Sequence, residues 1–319
     1  MTEKYINEFA AGEIVQNFFL IKTAECRVSN NSKKYLDITL VDKTGEINAK
    51  LWDCNDSDEG MYIRNTLVKI RGNIVEWQGN MQLKIDKIRL VKKDDGLNIE
   101  DYVPVAPLQA EYLYNELIGF VDRIQNEDIK KIVSYIIEMK KDKLMIYPAA
   151  MKNHHAIRSG LLYHIVSMLQ VGDRITDIYT SVNRDLLFAG IMLHDIAKLD
   201  EMDANELGLV SDYTLEGQLL GHITQGIVLI DNVTNLLGTD SETALLLKHM
   251  ILTHHYEPEY GSPKKPLIPE AELLHYIDMI DARMFDMEKA LCNVAPSQFS
   301  EKIWTLDNRK LYKSKLKSV

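Results

Sequence analysis

The histidines of this chain are confined to one stretch of sequence. All nine lie between residues 154 and 275. Histidine is the side chain that most often binds transition metals near neutral pH, so this clustering indicates a metal site. The candidate ligands recur as a His, a His-Asp pair, a His, a His-His pair and an Asp. In chain order they are His164, His194, Asp195, His222, His254, His255 and Asp278.

The candidate ligands form a mixed set of imidazoles and carboxylates, which suits divalent cations of the Mn²⁺ or Fe²⁺ type. Two such cations about 4 Å apart lower the pKa of a water between them and stabilise the attacking and leaving oxygens of phosphoryl transfer. One carboxylate must bridge the two ions, and Asp195 is the candidate by its position in the pattern. Lys198 follows one helical turn later, so it is expected on the same face, where it could meet a substrate phosphate. A solvent-exposed lysine is the alternative interpretation.

This order of ligands resembles the HD-domain metal-dependent phosphohydrolase superfamily, and more narrowly its members with extra histidines that hold two metals. The resemblance implies two divalent ions, Mn²⁺ first, with Fe²⁺, Co²⁺ and Mg²⁺ as alternatives. One ion would be held by His164, His194, Asp195 and Asp278, and the second by Asp195, His222, His254 and His255. Asp281 competes with Asp278 on the same helical face. The family pattern favours Asp278, because it places the last Asp soon after a Leu-His-Tyr-type run.

The four remaining histidines fall into two pairs. His249 and His275 are interpreted as buried, hydrogen-bonded structural residues. His154 and His155 come just before the first candidate ligand, where polar side chains could line a substrate cleft. Their surroundings resemble a nuclease-like HD subgroup, which favours a phosphate-binding or ligand-supporting role for them. That subgroup often shows paired glycines where this chain has Ser159 before Gly160, a departure that we expect to be tolerated.

The elements that precede this site are predicted to be strands. Residues 35–41 form a strand-like run, residues 42–45 a turn, and residues 47–52 a returning strand with alternating apolar positions. The other strand-like runs are 18–28, 66–73 and 81–90. Five short antiparallel strands suggest a small closed barrel. The segment 33–53 also resembles the strand–turn–strand of a nucleic-acid-binding OB-fold.

Barrels of this type bind single strands by stacking bases on aromatic rings while cations follow the backbone. The predicted substrate-binding residues here are Tyr35, Trp77, Lys34, Lys50 and Arg71. Further candidates for stacking or backbone contact are Trp52, Tyr62, Lys33, Arg64, Lys69 and Lys84. A covering loop over Trp52 is the alternative for that residue.

The domain organisation follows from a change in pattern. Charge, glycine and two prolines mark residues 96–110 as a linker, and from residue 111 the apolar period becomes helical. The predicted fold class is therefore multi-domain, with an N-terminal all-β OB-fold barrel followed by an all-α HD-domain. The barrel is assigned to residues 1–95 and the helical domain, with a basic C-terminal tail, to residues 111–319.

Composition restricts the class of protein further. The 319 residues carry 37 basic and 47 acidic side chains, a net charge of −10 that argues against simple coating of nucleic acid. Residues 11–95 hold 14 basic and 13 acidic side chains, so the acidity lies outside the barrel. No apolar run approaches the ~20 residues of a membrane helix and the start is polar, so a cytoplasmic protein with no membrane partner is expected. Cys26, Cys54 and Cys292 are widely spaced and are interpreted as reduced structural thiols.

A barrel, a linker and a five-histidine HD domain in this order resemble the YhaM family of bacterial 3′→5′ exoribonucleases over essentially the whole chain. Residues 304–313 resemble that family's end as well. The resemblance implies a metal-dependent enzyme that hydrolyses single-stranded RNA to nucleoside 5′-monophosphates through a hydroxide bridging two metals. Asp195 and Lys198 are then the catalytic residues. Single-stranded DNA as a second substrate and a homo-oligomeric state stay open.

Two rival functions remain. One is an HD phosphohydrolase or phosphodiesterase of free or cyclic nucleotides, against which the barrel argues. The GYP element of cyclic-dinucleotide phosphodiesterases is also absent, since His255 is followed by Tyr-Glu-Pro. The other is a non-catalytic single-strand-binding accessory protein, which the complete set of seven ligand positions disfavours.

Overall fold

The computed structural model describes residues 4–29, 31–152 and 154–316. The chain divides into two compact units, Met1–Pro104, built of strands, and Val105–Val319, built mainly of helices. The division falls within the segment predicted as a linker. Part of that segment is attached to the first unit, because the backbone N–H of Lys43 donates to the carbonyl of Asp101 at 2.8 Å and Lys43 Nζ lies 2.6 Å from its carboxylate.

The first unit contains a closed five-stranded barrel with the strand order β1-β2-β3-β5-β4, which confirms the predicted architecture. The strands are β1 (Ile14–Val28), β2 (Lys34–Asp42), β3 (Gly45–Trp52), β4 (Leu67–Trp77) and β5 (Asn80–Leu90), with a short helix α1 (Asp56–Met61) between β3 and β4. Neighbouring strands are antiparallel except β3 and β5, which are parallel. Alternate residues such as Ile38, Leu40 and Ala49 are fully buried, so one side of each strand forms the core and the other remains polar.

Two local features set the strand register. The carboxylate of Asp42 accepts the backbone N–H groups of Thr44 at 2.7 Å and Gly45 at 3.2 Å, which closes the β2–β3 hairpin. The β4–β5 register shifts at Gly72, where an added Cβ would lie 2.2 Å from the carbonyl oxygen of Lys84. This irregularity needs a glycine, and such bulges increase the local twist that closes a small barrel.

Two of the three free cysteines lie close together although they are distant in sequence. The sulfurs of Cys26 and Cys54 and a carboxylate oxygen of Glu59 all lie within 4.8 Å of one another. The hydrogen bond from Cys26 to Glu59, at 2.9 Å, raises the pKa of the Cys26 thiol to about 11. A thiol held protonated in this way is a poor nucleophile at neutral pH.

The second unit is a helical bundle around one large apolar core. Its helices are α2 (Ala110–Arg123), α3 (Glu127–Leu144), α4 (Gly160–Ile178), α5 (Arg184–Leu193), α6 (Lys198–Glu201), α7 (Leu215–Leu237), α8 (Ser241–Thr253) and α9 (Pro269–Leu291). Every residue of α5 from Leu186 to Leu193 is buried, as expected for a helix that is apolar on all sides. Within the described part of the chain, no helix is both long and apolar enough to cross a membrane.

Two details differ from a purely helical pattern. A small antiparallel hairpin, β6 (Met202–Ala204) and β7 (Val210–Tyr213), interrupts the predicted all-α domain between α6 and α7. Ser159 precedes α4 with a φ of 58°, in the left-handed region that favours glycine. Its hydroxyl donates to the carbonyl of Met145 at 2.6 Å and its N–H to that of Ile146 at 2.9 Å, and these two bonds hold the turn.

The chain ends in a C-terminal hairpin that covers residues 297–313. Its two arms are joined by backbone hydrogen bonds, of which Ser300 N–H to Leu311 O is 2.8 Å and Ile303 N–H to Arg309 O is 3.0 Å. A short 3₁₀ turn, Trp304–Leu306, forms the tip, and Leu306 is fully buried there. The tip contacts α9, so this hairpin is part of the folded unit.

Candidate metal centre

The predicted ligands come from five different elements of the helical unit. His164 lies on α4, and His194 and Asp195 lie in the turn between α5 and α6. His222 lies on α7, His254 and His255 directly follow α8, and Asp278 lies on α9. Most of these positions are at helix ends or kinks, where side chains from separate helices can reach one point.

Three of the histidines are oriented by backbone carbonyl groups. His194 Nδ1 lies 2.8 Å from the carbonyl of Ile191, and His254 Nδ1 lies 2.8 Å from that of Ile251. His255 Nδ1 contacts the carbonyl of Tyr260 in the same way. A carbonyl oxygen only accepts, so Nδ1 must carry the proton and Nε2 must present a lone pair. Burial lowers the pKa of His255 to about 3, which keeps this imidazole neutral at physiological pH.

The other two histidines are oriented by carboxylates. His164 Nδ1 lies 2.7 Å from Asp281, and His222 Nδ1 lies 3.2 Å from Glu201. Glu201 also accepts the backbone N–H of His222 at 3.0 Å. That N–H is available because α7 is kinked at Gly221, whose φ of 68° interrupts the helical hydrogen bonds. Carboxylates of this kind fix the tautomer and orientation of metal-binding imidazoles.

The opposite edge of these rings is without hydrogen-bond partners. The Nε2 atoms of His164, His194, His222 and His254 and the Oδ1 atom of Asp195 are all buried and unpaired within the described structure. A buried polar atom left without a partner costs about 1–3 kcal/mol, so five such atoms at one place require an explanation. A divalent cation supplies it, because neutral imidazole nitrogens and a carboxylate are its usual ligands.

The distances between these atoms fit shared coordination. The Nε2 atoms of His194 and His222 each lie 3.4 Å from a carboxylate oxygen of Asp195, and that of His254 lies 3.6 Å away. Two atoms that each bind one ion at about 2.1 Å, at right angles, are about 3 Å apart. The residues present therefore fit a metal.

The donor atoms form two overlapping groups. One consists of Asp195, His222, His254 and His255, and the other of His164, His194 and Asp195, with the atoms of each group within 4.8 Å of one another. Asp195 belongs to both, as a bridging carboxylate would. Asp278 adjoins the second group, with Oδ1 3.3 Å from Nε2 of His164. Asp281 instead contacts Nδ1 of the same ring, so the two aspartates occupy opposite edges of His164.

Lys198 is bound to Asp195. Its Nζ lies 2.7 Å from Asp195 Oδ2, and the lysine side chain is largely buried. Burial disfavours a charged lysine, but the adjacent carboxylate outweighs burial and raises the pKa of Lys198 above its usual value. The alternative of a solvent-exposed lysine is therefore wrong. Lys198 is a fixed positive charge beside the donor atoms.

A cleft of about 570 Å³ opens onto this centre. Its lining residues on the side of the donor atoms are His154, Asp195, Lys198, Glu201, His222, His254, His255, His275 and Asp278. A further wall is formed by α9 and the tip of the C-terminal hairpin. The volume falls within the roughly 300–1,000 Å³ typical of ligand pockets.

The four histidines outside the predicted ligand set form two groups: His154 and His155 lie near the centre, and His249 and His275 contact backbone groups. His154 lines the cleft, and burial lowers its pKa to about 4. His155 is 1% exposed and its Nε2 lies 2.7 Å from Asp281, so it contacts the carboxylate that orients His164. His249 Nε2 accepts the backbone N–H of Leu267, and His275 Nδ1 contacts the carbonyl of His254.

The barrel candidates do not all share one face, since Trp77, Lys69 and Arg71 lie on β4. Those on the outward face of β2, β3 and β5 are Tyr35, Lys50, Trp52 and Lys84. Tyr35 stacks on Trp52 at one end of this face, with ring centroids 4.6 Å apart. Trp77, 64% exposed, lies at the other end beside Asn48 and Gln82. Arg71 is exposed on β4, between Gln16 of β1 and Lys87 of β5, and does not line the groove that contains Trp77, Asn48 and Gln82.

Two of the candidate lysines are paired with acidic neighbours. Lys34 Nζ lies 2.8 Å from Asp56 and 3.0 Å from Glu59, and Lys50 pairs with Asp37. Tyr62 is 6% exposed and donates its hydroxyl to the carbonyl of Ile88, so its assignment as a stacking residue is wrong. Its position directly after α1 places it in the barrel core.

Sequence reasoning missed Glu201 and the contribution of the C-terminal hairpin to the cleft. No spacing along the chain indicates Glu201. It lies at the end of α6 and contacts His222 only because α7 is kinked at Gly221. In the sequence, Trp304 is part of a segment, residues 304–313, that resembles the end of the YhaM family, and nothing there indicates a place in the cleft. The tertiary structure brings it to the cleft.

Comparisons with known proteins agree with this architecture. A family model described as HD domain matches residues 161–283, and one described as OB-fold nucleic acid binding domain matches residues 18–91. Among solved structures, the second OB-fold domain of replication protein A from Methanococcus maripaludis is 17% identical, with a TM-score of 0.24, over 30% of this chain and 98% of that one. The protein priB from Ralstonia solanacearum is 12% identical, with a TM-score of 0.22, over 26% of this chain and 100% of that one.

A curated relative matches along almost the entire length. The 3′-5′ exoribonuclease YhaM of Geobacillus sp. (strain WCH70) is 42% identical over 317 residues, which are 99% of this chain and 97% of that protein. The match spans both the barrel and the helical unit. The chain therefore belongs to the YhaM family.

Proposed function

We propose that this protein is a metal-dependent 3′→5′ exoribonuclease that hydrolyses single-stranded RNA to nucleoside 5′-monophosphates. The observation that carries the proposal is the convergence of unpaired buried imidazole nitrogens on Asp195, at the base of a cleft in a chain that also has a barrel. Family membership supports the same activity, since the relative YhaM is named a 3′-5′ exoribonuclease. We place the enzyme in the cytoplasm.

Two divalent ions, Mn²⁺ first, would occupy the two overlapping groups of donors. His164, His194 and Asp278 would hold one, His222, His254 and His255 the other, and Asp195 would bridge them. When bound, the ions would lower the pKa of a water and offset the negative charge that develops on the phosphate. Asp278 is preferred to Asp281 as the ligand, because Asp281 contacts the protonated Nδ1 edge of His164.

The surrounding residues of the chain hold the ligands and the phosphate. Asp281 and Glu201 orient His164 and His222, and His155 in turn donates to Asp281, which makes it a positioning residue. Lys198 supplies a positive charge that Asp195 already orients, so no side-chain rearrangement is needed when a phosphate enters. His154 lines the cleft as a neutral group able to donate a hydrogen bond to a phosphate oxygen.

The barrel would bind the single strand on the outward face of β2, β3 and β5. Exposed Trp77 and the stacked pair Tyr35–Trp52 offer aromatic surfaces, while Asn48 and Gln82 offer amides between them. The barrel carries almost no net charge, so stacking rather than bulk attraction is expected to supply most of its binding.

The test is digestion of 5′-labelled single-stranded RNA with and without Mn²⁺. The expected product is a ladder that shortens from the 3′ end only when the metal is present. His194→Ala should abolish the ladder together with metal binding, whereas His249→Gln, which keeps a hydrogen-bond acceptor outside the donor set, should retain both.

Intact RNA combined with hydrolysis of free or cyclic nucleotides would reject the exonuclease. Binding of single strands without any hydrolysis would identify an accessory protein instead. A parallel digest of single-stranded DNA measures its rate relative to RNA.

A further inference from the structure

One wall of the cleft differs in chemistry from the metal centre. It is formed by α9 and the tip of the C-terminal hairpin, and we call it the α9–hairpin wall. Its residues are Met279, Ala282, Arg283, Asp286, Trp304, Thr305 and Asp307. None of them belongs to the two groups of metal donors.

Trp304 is the exposed aromatic residue of this wall. It is 69% exposed although it lines the cleft, so its ring is available to a ligand. An indole exposed to water loses the hydrophobic stabilisation that burial would provide. A flat ligand stacked against it would recover part of that stabilisation.

The backbone beneath Trp304 is held in place. Leu306 and Asp307 close the tip: Leu306 is fully buried, and the Asp307 carboxylate lies 3.2 Å from Arg283 of α9 and 3.4 Å from Arg309. The hydrogen bonds of the hairpin arms fix its direction. The ring is therefore presented from a packed tip, and ordering it for a ligand costs little.

The charges of the cleft are arranged to separate a phosphate from a nucleoside. Ions bound by the donor atoms would attract a phosphate, and Lys198 adds a positive charge beside them. The α9–hairpin wall carries two carboxylates: Asp307 is paired with Arg283 and Arg309, whereas Asp286 has no ion pair among the described residues. A carboxylate repels phosphate but accepts hydrogen bonds from hydroxyl groups, so this wall suits a ribose and a base.

We propose that the α9–hairpin wall is the subsite for the 3′-terminal nucleoside, with Trp304 stacked on its base. This deepens the proposed exonuclease activity and rests on it. Every internal nucleoside of a strand carries a phosphate on each side, whereas the terminal one carries only the phosphate to be cleaved and ends in free hydroxyls. The Asp286 carboxylate thus accepts hydrogen bonds from the free hydroxyls of a 3′ end and repels the phosphate of a continuing strand.

Steady-state kinetics of Trp304→Ala and Trp304→Phe on RNA with an ordinary and with an abasic 3′-terminal nucleotide test the stacking. Loss of one stacked base is expected to raise KM about 5- to 150-fold in Trp304→Ala with little change in kcat, because stacking is equal in ground and transition states. Trp304→Phe should recover most of the loss. Tyr179→Ala, which removes an exposed ring outside the cleft, should leave KM unchanged.

The abasic end separates stacking from a structural effect. For the wild-type enzyme, the abasic end should raise KM as much as Trp304→Ala raises it on the ordinary substrate. For Trp304→Ala, the abasic end should cause no further rise in KM. Equal losses for the variant on both substrates would overturn the subsite. A 3′-phosphate on the RNA should slow its hydrolysis by the wild-type enzyme, and Asp286→Asn should reduce this inhibition. Equal rates of hydrolysis with and without the 3′-phosphate would overturn the role of Asp286.

Equilibrium binding keeps the test independent of exonuclease activity. In the presence of Mn²⁺, the protein should bind a nucleoside 5′-monophosphate more tightly than ribose 5-phosphate, and Trp304→Ala should remove that difference. If the protein fails to digest RNA but shows this pattern, the proposed function is rejected and the nucleoside subsite is retained. If it digests RNA without any base-dependent difference in binding, the subsite alone is rejected.

Discussion

The two units of this protein treat their polar side chains in opposite ways. On the barrel, Lys34 is paired with acidic residues of α1 in exposed ion pairs that are worth about 0–1 kcal/mol each. In the helical unit, imidazole nitrogens and the Oδ1 atom of Asp195 are buried side by side without hydrogen-bond partners among the described residues. The first arrangement is complete without a ligand, whereas the second is not.

This difference indicates how each unit meets its ligand. A surface whose charges are already paired binds weakly and releases a moving polymer easily, because each contact exchanges one weak partner for another. A buried centre with unpaired donors binds an ion tightly, because the ion removes several desolvation penalties at once. Loose binding of the strand and tight binding of metal would suit the repeated hydrolysis proposed above.

Removal of metal should affect the two units unequally, and this is the largest expected effect. Ions that bind only the folded state stabilise it, by about 4 kcal/mol at a thousand times their dissociation constant. A chelator should therefore lower the protection of amides in α4, α7, α8 and α9 against hydrogen exchange and leave β1–β5 unchanged. Uniform loss of protection in both units would contradict the comparison, and restored protection on adding Mn²⁺ is the control.

Glu201→Gln tests whether the unpaired donors depend on their supporting carboxylates. Loss of the charged partner of His222 should weaken metal binding about 10- to 100-fold, the usual cost of removing such a contact. Isothermal titration with Mn²⁺ measures this directly. Glu216→Gln, an exposed change on the same helix, should bind Mn²⁺ like the wild type. Equal affinities for Glu201→Gln and wild type would show that the carboxylate does not support the site.

Trp77→Ala tests the barrel and should have the smallest effect. Loss of one stacking surface among several is expected to weaken binding of single-stranded RNA about 5-fold, with Trp77→Phe intermediate. Fluorescence anisotropy of labelled RNA, measured in the presence of a chelator that removes the metal, separates this contribution from that of the metal centre. A steep salt dependence with no change in Trp77→Ala would instead indicate binding by bulk charge.

Much of the architecture was predictable because its signals are local. Period-two alternation in residues 47–52 and the Asp42–Gly45 turn predicted a hairpin that the structure contains. The period of Leu113, Leu117 and Phe120 predicted α2. The hairpin β6–β7 was missed, since two strands of three and four residues are too short to show a period.

The donor set was predictable for a different reason. Histidines on apolar segments are unusual enough that their order indicated a metal site. Their supporting partners were not predictable, because Glu201 and Asp281 are ordinary acidic residues until the fold places them against His222 and His164. The ion pairs of Lys34 with Glu59 and of Lys50 with Asp37 could not be predicted from the sequence either. The same holds for the burial of Tyr62.

The sequence alone thus determined the order of the two units, the residue types of the metal centre and the resemblance to the YhaM family, because these depend on composition and on spacing along the chain. Only the tertiary structure decided which edge of each imidazole is free, which aspartate faces Nε2 of His164, and that Trp304 lines the cleft. These features depend on the relative placement of helices that are distant in sequence. A side chain acquires its role from the atoms that packing brings within about 3 Å of it, and one-dimensional spacing carries no such information.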